Sequence, residues 1–477
     1  VIAALILVPI LAGLALYLLP RSADALAKWI GVLIAFGAFA IAIVYNGAPD
    51  ESLRWLQRPF TANFHVGLGG LSYWIVLLLS LTTGCALLAM RVPRQRDFVA
   101  SMLVLLGTMT GVFIARDLLL FALFWDFMLI PVFLILVAWA PGKSAGSAWR
   151  YLIYNLTGGL ALLLATAAYG VVEGSTDVIG LAAGHGATAI GAVWGIWIFA
   201  GYAFAFLVKT PAWPFHTWMP DTYADLPAPA VAVVSAVQSK AGLYGFLAIA
   251  APLLPDQMRE ATTPLFMIGL IGLVYGGLIA LVQDDAKRVV AYSSLSHLGL
   301  ILLAVFSGNP IAIGGAAVYI IAHGLFSAGL FLTIGQVESR EDTRLISRLG
   351  GLGARNPKLA GALTIVALAA LGLPGLCGFA GEILILTGLY QAGAIVATVI
   401  ALVPIVLAAA YMLRLFQSFM HGPELADIPE RKDMRPLEIL ALAPLVIAMV
   451  LLGVYPEPVA NVSPSVSTIS LPSAGIR

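Results

Sequence analysis

Apolar runs long enough to cross a bilayer follow one another along the whole chain, from "VIAALILVPILAGLALYLLP" at residue 1 to "PLEILALAPLVIAMVLLGV" at residue 436. A span needs about 20 predominantly apolar residues. The pattern predicts fourteen helices, over 2–20, 26–45, 70–90, 98–115, 117–140, 149–172, 187–209, 228–252, 263–283, 288–307, 310–336, 358–392 (broken), 393–420 and 437–455. The first run lacks a charged leader and a small-residue cleavage site, so it reads as a span and not as a removed signal. With no Met at position 1, the numbering is expected to start after the true N-terminus. The segment 50–70 is too polar to span and predicts an outer loop or short hairpin. Residues 340–358 form the longest basic connection, expected on the inner face.

Composition agrees with the pattern. The chain is 61% hydrophobic and 10% charged, against about 25% charged for soluble domains. The fold class is therefore an all-α polytopic membrane protein. A net charge of +1 points to no nucleic acid. The two cysteines, Cys85 and Cys377, are far apart and form no CxxC, so neither a zinc site nor an iron–sulfur cluster is expected. Cationic residues fix an orientation, because inner loops carry the excess of Lys and Arg. With the N-terminus outside, 17 of the 25 fall in inner loops and 5 in outer ones. Lys209, Lys240 and Arg414 fall in or at the ends of spans. Both termini are then expected on the outer side.

Four charged groups interrupt the apolar runs: Asp126 in "LFWDFMLIPVF", Lys209 in "FLVKTPAWPF", Lys240 in "VQSKAGLYGF" and Glu382 in "GFAGEILIL". A charge at mid-bilayer costs about 2.5–3.5 kcal/mol, which makes function the default reading of such a group. The bland alternatives are structural ion pairs and snorkelling end residues. Four groups of mixed sign on four helices favour a shared polar pathway. Two helices are also broken, at Pro211 and Pro214 and again at Gly372 and Pro374, each break within a few residues of a charge. Irregular backbone at membrane depth is tolerated only where protein or water covers it, and paired breaks in two halves of a chain point to a transport site. Polar stripes continue the line. Tyr319, His323 and Ser327 repeat every four residues, Ser293 and His297 form another such pair, and Ser235, Gln238 and Ser239 lead to Lys240. The serines alone read as helix–helix hydrogen bonds. The histidines, able to gain and lose a proton, read as functional, with a haem-ligating pair as the lesser alternative.

Four stretches carry a family resemblance: "VKTPAWPFHTWMPDTYADLPAPAVAVVSAVQSKAGLYG", "QDDAKRVVAYSSLSHLGL", "AHGLFSAGLF" and "LGLPGLCGFAGE". They resemble the antiporter-like subunits of respiratory complex I and of Mrp-type cation/proton antiporters, over roughly residues 66–420. The nearest types are the M subunit of bacterial NADH:quinone oxidoreductase and the D subunit of Mrp. The long lateral helix of the L type is not expected here. The resemblance implies an N-terminal region 1–97, two inverted five-helix bundles at 98–252 and 263–420, each with a broken helix, and a C-terminal helix and tail at 421–477. It implies Lys209 and Lys240 as the two lysines of a proton path, His297 and His323 as the histidines between, and Glu382 as the acidic exit group. Two positions depart from the family pattern. Asp126 stands where the family has Glu, and "GGLS" at Gly69–Ser72 replaces "DGLS".

These readings lead to one expectation. Asp126 and Lys209 form a switchable pair that controls Lys240, and the proton leaves through His297, His323 and Glu382. His216 and Asp221 could line the entry or simply cap. Prolines around Lys209 are expected to leave carbonyls that water hydrates. No cofactor and no redox site are expected in this chain, so driving energy must come from partner subunits: further antiporter-like subunits and a peripheral redox arm, in a bacterial inner membrane. The alternatives are an Mrp-type sodium/proton antiporter subunit, a membrane-bound hydrogenase-like relative and a non-conducting scaffold.

Overall fold

The computed structural model describes residues 1–140, 145–182, 191–421 and 432–462. Lys143, Arg431, Arg477 and the tail 463–477 therefore lie outside the described residues, as does the start of the expected 187–209 span. Among the described residues eleven helices are long and apolar enough to cross a membrane, and three shorter apolar helices join them. The fourteen expected spans are all present.

The helices used below are α1 (Ala4–Leu18), α2 (Asp24–Val44), α3 (Leu71–Ala89), α4 (Gln95–Ile114), α5 (Leu118–Phe127), α6 (Leu129–Trp139), α7 (Ala145–Glu173), α8 (Ala192–Lys209), α9 (Met219–Asp225), α10 (Ala228–Ala236), α11 (Ala241–Gly245), α12 (Thr262–Val282), α13 (Ala286–Val305), α14 (Pro310–Glu341), α15 (Pro357–Ala370), α16 (Cys377–Gln391), α17 (Ile395–His421) and α18 (Pro436–Val454). The polar 50–70 segment is a hairpin of β1 (Glu51–Leu56) and β2 (Ala62–Val66), with Glu51 opposite Val66 and Leu53 opposite Phe64.

Caps set several helix starts. The Asn309 side chain accepts from Ile311 N and Ala312 N, the Asp285 side chain from Lys287 N and Arg288 N, and the Asp117 side chain from Leu119 N and Leu120 N. Asp117 also accepts from Asn63 N at 2.9 Å and Thr176 Oγ1 at 2.8 Å, so it ties the hairpin to the starts of α5 and of the segment after α7. Burial pushes its carboxyl above the ordinary value, and these hydrogen bonds pull the other way.

The 32 residues of α14 run through the middle of the molecule, packed against α3, α10, α13, α15, α16 and α18. At 1.5 Å per residue it is about 48 Å long. Its faces are apolar nearly all round, which is the pattern of a helix enclosed on every side. The rim helices instead expose large apolar side chains such as Leu33, Leu164, Trp197 and Val406, a surface suited to hydrocarbon.

The cationic residues that the sequence assigns to the inner face cluster as a network. Arg91 and Arg340 share Glu438, Arg150 and Arg288 share Asp221, and Arg344 pairs with Asp285 at 2.7 Å. Arg340 and Glu438, 2.7 Å apart, are both almost fully buried. Burial, followed by repulsion from Arg435 and Arg340, brings Arg91 down to about 10.

Candidate functional site

Both proline-marked breaks form, and they end their first halves alike. After α8, Ala212 N bonds back to Leu207 O at 2.9 Å; after α15, Leu373 N bonds back to Leu368 O at 3.1 Å. Each spans five residues, one more than the helical repeat. Protein groups take the carbonyls freed after α8: Val208 O accepts from the Trp218 indole at 3.0 Å. Trp218 folds back from ten residues downstream to make this bond, while Leu207 O takes the Ala212 amide.

A third interruption has no proline. The 228–252 run divides into α10, a 3-10 turn at Gln238–Lys240, α11 and a π-turn at Phe246–Ala250. Lys240 N bonds to Val237 O, one residue short of the helical repeat. The carbonyl of Ser235 is left to side chains and accepts from Ser239 Oγ at 3.1 Å and from Lys240 Nζ. Lys240 is fully buried, and Ser239 Oγ lies 3.3 Å from its Nζ. It thus sits on an irregular turn, where the sequence reading places it mid-helix.

Lys209, the last residue of α8, is 1% exposed, and its Nζ lies 4.9 Å from the centre of the Trp125 ring. Neither its Nζ nor Asp126 Oδ1 has a hydrogen-bond partner among the described residues, so the two groups form no direct ion pair. Gly159 on α7 makes room for the carboxylate: a Cβ there would lie 1.7 Å from Asp126 Oδ1. Its neighbour Gly158 packs toward Ala205 and Val208 of α8. The double glycine therefore lets Asp126 of α5 and the end of α8 both approach α7.

From Lys240 the polar groups continue. Ser327 Oγ donates to Ser235 Oγ at 2.9 Å, joining α14 to α10. His323, next on the α14 stripe, is buried with its ring 5.6 Å from that of His297 on α13. All four ring nitrogens of this pair lack partners among the described residues. The His297 ring lies 5.7 Å from Tyr319, whose hydroxyl donates to Glu382 Oε1 at 2.6 Å. Gly372 holds φ +73° in the second break, and a Cβ there would meet Glu382 Oε2 at 2.2 Å; glycine serves both the turn and the carboxylate. Ser293 accepts from the Tyr411 hydroxyl at 3.0 Å and stands beside this line.

The two candidate entry residues part company. His216 is buried in the link after the first break, its ring 5.2 Å from Tyr275 and its Nδ1 unpartnered among the described residues. Asp221 opens α9 and bridges Arg150 and Arg288. Such a doubly paired acid clamps α7 and α13 together.

The sequence reading missed Trp125, Tyr151, Tyr411 and Gly159. Tyr151 accepts from Gln238 Nε2 at 2.6 Å, beside the Lys240 turn. Its place among aromatic residues at ordinary helical spacing gives no separate signal. The pair "GG" at 158–159 does carry one: two adjacent glycines within a helix mark a close approach.

Residues 115–408, more than half the chain, match the transmembrane family described as NADH:quinone oxidoreductase/Mrp antiporter. The chain belongs to this family. It is 34% identical to NADH-quinone oxidoreductase subunit M of Pseudomonas aeruginosa, over 96% of this chain and 95% of that one. It is 32% identical to NADH-ubiquinone oxidoreductase chain 4 of Arabidopsis thaliana, over 95% and 93%. Among solved structures it superposes on a chain of respiratory complex I from Thermus thermophilus with a TM-score of 0.89, at 30% identity and with both chains fully covered. A chain of the Mrp complex from Dietzia sp. shares the fold, with a TM-score of 0.85 at 20% identity over 98% and 96% of the two chains. The family's segment includes all of Asp126, Lys209, Lys240, His297, His323 and Glu382.

Proposed function

We propose that this chain is a proton-translocating, antiporter-like subunit of a multisubunit membrane redox complex of the NADH:quinone oxidoreductase type. The observation that carries the reading is the series formed by half-buried Asp126 and the buried groups Lys209, Lys240, Ser327, His323, His297, Tyr319 and Glu382, running across an apolar interior beside several helix interruptions. The Pseudomonas, Arabidopsis and Thermus relatives, by their names, support the choice of host.

Protons move as follows. When Lys209 approaches Asp126 the carboxylate favours its charged form, and repulsion between the two ammoniums favours a neutral Lys240. When they separate, Lys240 gains a proton from the Lys209 side. The proton passes through Ser327, the histidines and bridging water to Glu382, because groups that both donate and accept can relay it. Two inverted bundles, 98–252 and 263–420, house the entry and exit halves. The excess of Lys and Arg in one set of loops supports an orientation with both termini outside a bacterial inner membrane. Each charge moved against 100 mV needs about 2.3 kcal/mol. With no redox group proposed in this chain, a peripheral arm supplies that energy through neighbouring membrane subunits.

The test is Lys240→Ala in the assembled host complex reconstituted into vesicles. Proton pumping should be lost with the subunits still co-purifying. An assembled variant that pumps at the parent rate refutes the path. The co-purifying subunits themselves discriminate the host: a quinone-reducing arm supports this reading, and a set of small Mrp-like proteins replaces it with cation/proton antiport.

A further inference from the structure

We propose that Trp125 is a positioning residue for Lys209: its indole face is a second resting station for the ammonium when that group is apart from Asp126. The proposal rests on the reading of Lys209 as a proton carrier.

The Lys209 ammonium is buried with no hydrogen-bond acceptor among the described residues, and the centre of the Trp125 ring lies 4.9 Å from it. Indole has the strongest π face for a cation, and the attraction grows when the pair is removed from water. It acts on the ammonium and does little for the neutral amine. Trp125 is itself immobilised. Its ring centre is 5.4 Å from Phe121 and 5.6 Å from Phe206. Phe206 in turn stacks on Tyr202 and meets the edge of Phe246 at 5.2 Å. The face presented to Lys209 is therefore a fixed surface.

The adjacent residue is Asp126. Two consecutive positions of α5 thus offer the same ammonium two kinds of partner, a π face and a carboxylate, about 100° apart around the helix. Asp126 rests its Oδ1 in the Gly159 slot while Lys209 lies over the indole. A short movement of the lysine tip exchanges one partner for the other. The π face holds the charged lysine less strongly than a buried carboxylate would, so it keeps the proton on the carrier during separation without trapping it there. It also relieves the shortened acid: Lys209 need not be held by Asp126 throughout the cycle.

The test places tryptophans bearing one to four ring fluorines at position 125 of the assembled complex. Fluorination weakens the π face stepwise and barely changes ring shape. Pumping should fall with each fluorine, to about tenfold below the parent for the fully fluorinated ring. Trp125→Phe should keep most of the rate, and Trp125→Leu should match the fully fluorinated ring. A flat fluorine series, or Trp125→Phe as impaired as Trp125→Leu, overturns the station and leaves Trp125 a packing residue. Lys240→Ala measured alongside separates the two ideas. If it fails to pump while the fluorine series is flat, only the station falls. If it pumps fully, the proton path falls and the station with it.

Discussion

Lys240 Nζ donates to the carbonyl oxygen of Ser235, a group that an unbroken helix would give to the amide of Ser239. A buried ammonium that binds a backbone carbonyl has a partner that never titrates, so charge on Lys240 is controlled from elsewhere. Lys240→Arg separates charge from proton exchange. Arginine keeps the cation but does not release its proton at any working pH. The complex should assemble and pump no better than Lys240→Ala, read as acidification of reconstituted vesicles.

The Asp126 carboxylate occupies a slot that only glycine leaves open. In Gly159→Ala the new Cβ would sit 1.7 Å from Oδ1, so the acid must turn away. A displacement of about 1 Å lowers rates on the order of a hundredfold in positioned chemistry. Pumping should fall toward that degree with assembly retained. Asp126→Glu should keep or raise the rate, and Asp126→Ala should lose it.

Arg340 and Glu438 tie the C-terminal end of α14 to α18 in a dry site. Arg340→Met leaves a buried carboxylate with Arg91 as its remaining cation. Breaking one side of a buried pair destabilises by about 3–5 kcal/mol, and the Arg91 contact places this variant near the lower end. Thermal unfolding in detergent should show the loss, while the pumping rate of the intact fraction stays unchanged.

Asp284, in the link before α13, accepts from Ser347, in the segment between α14 and α15, through the hydroxyl at 2.6 Å and the amide at 2.9 Å. The hydroxyl bond is the first cause holding the Asp284 carboxyl below its ordinary range. A depressed folded value means stability present above the unfolded value, about 3.9, and lost as pH falls through the folded one. Ser347→Ala should lower the thermal midpoint at neutral pH and bring it closer to the parent's as the pH drops below that range.

The spans, the hairpin and the interruptions at Pro211–Pro214 and Gly372–Pro374 were legible in the sequence, because bilayer length and proline are local signals. The interruption at Lys240 was not. "VVSAVQSKAGLYGF" contains no proline, and the turn arises where a lysine side chain competes for a carbonyl. Long-range partners were also hidden. Trp125 meets Lys209 across 84 positions, and Trp218 reaches back ten positions to the carbonyl of Val208. The two arginines that pair with Asp221 come from distant helices and were not legible beside the first break.

Among the described residues, His297 and His323 keep four ring nitrogens without a fixed mate. Each imidazole can present either face of its tautomer to either neighbour, so this stretch has no built-in sense of travel. On the proposed path, rectification then belongs to the two terminals, lysine on one side and glutamate on the other. A host running backwards should find the same middle section equally serviceable.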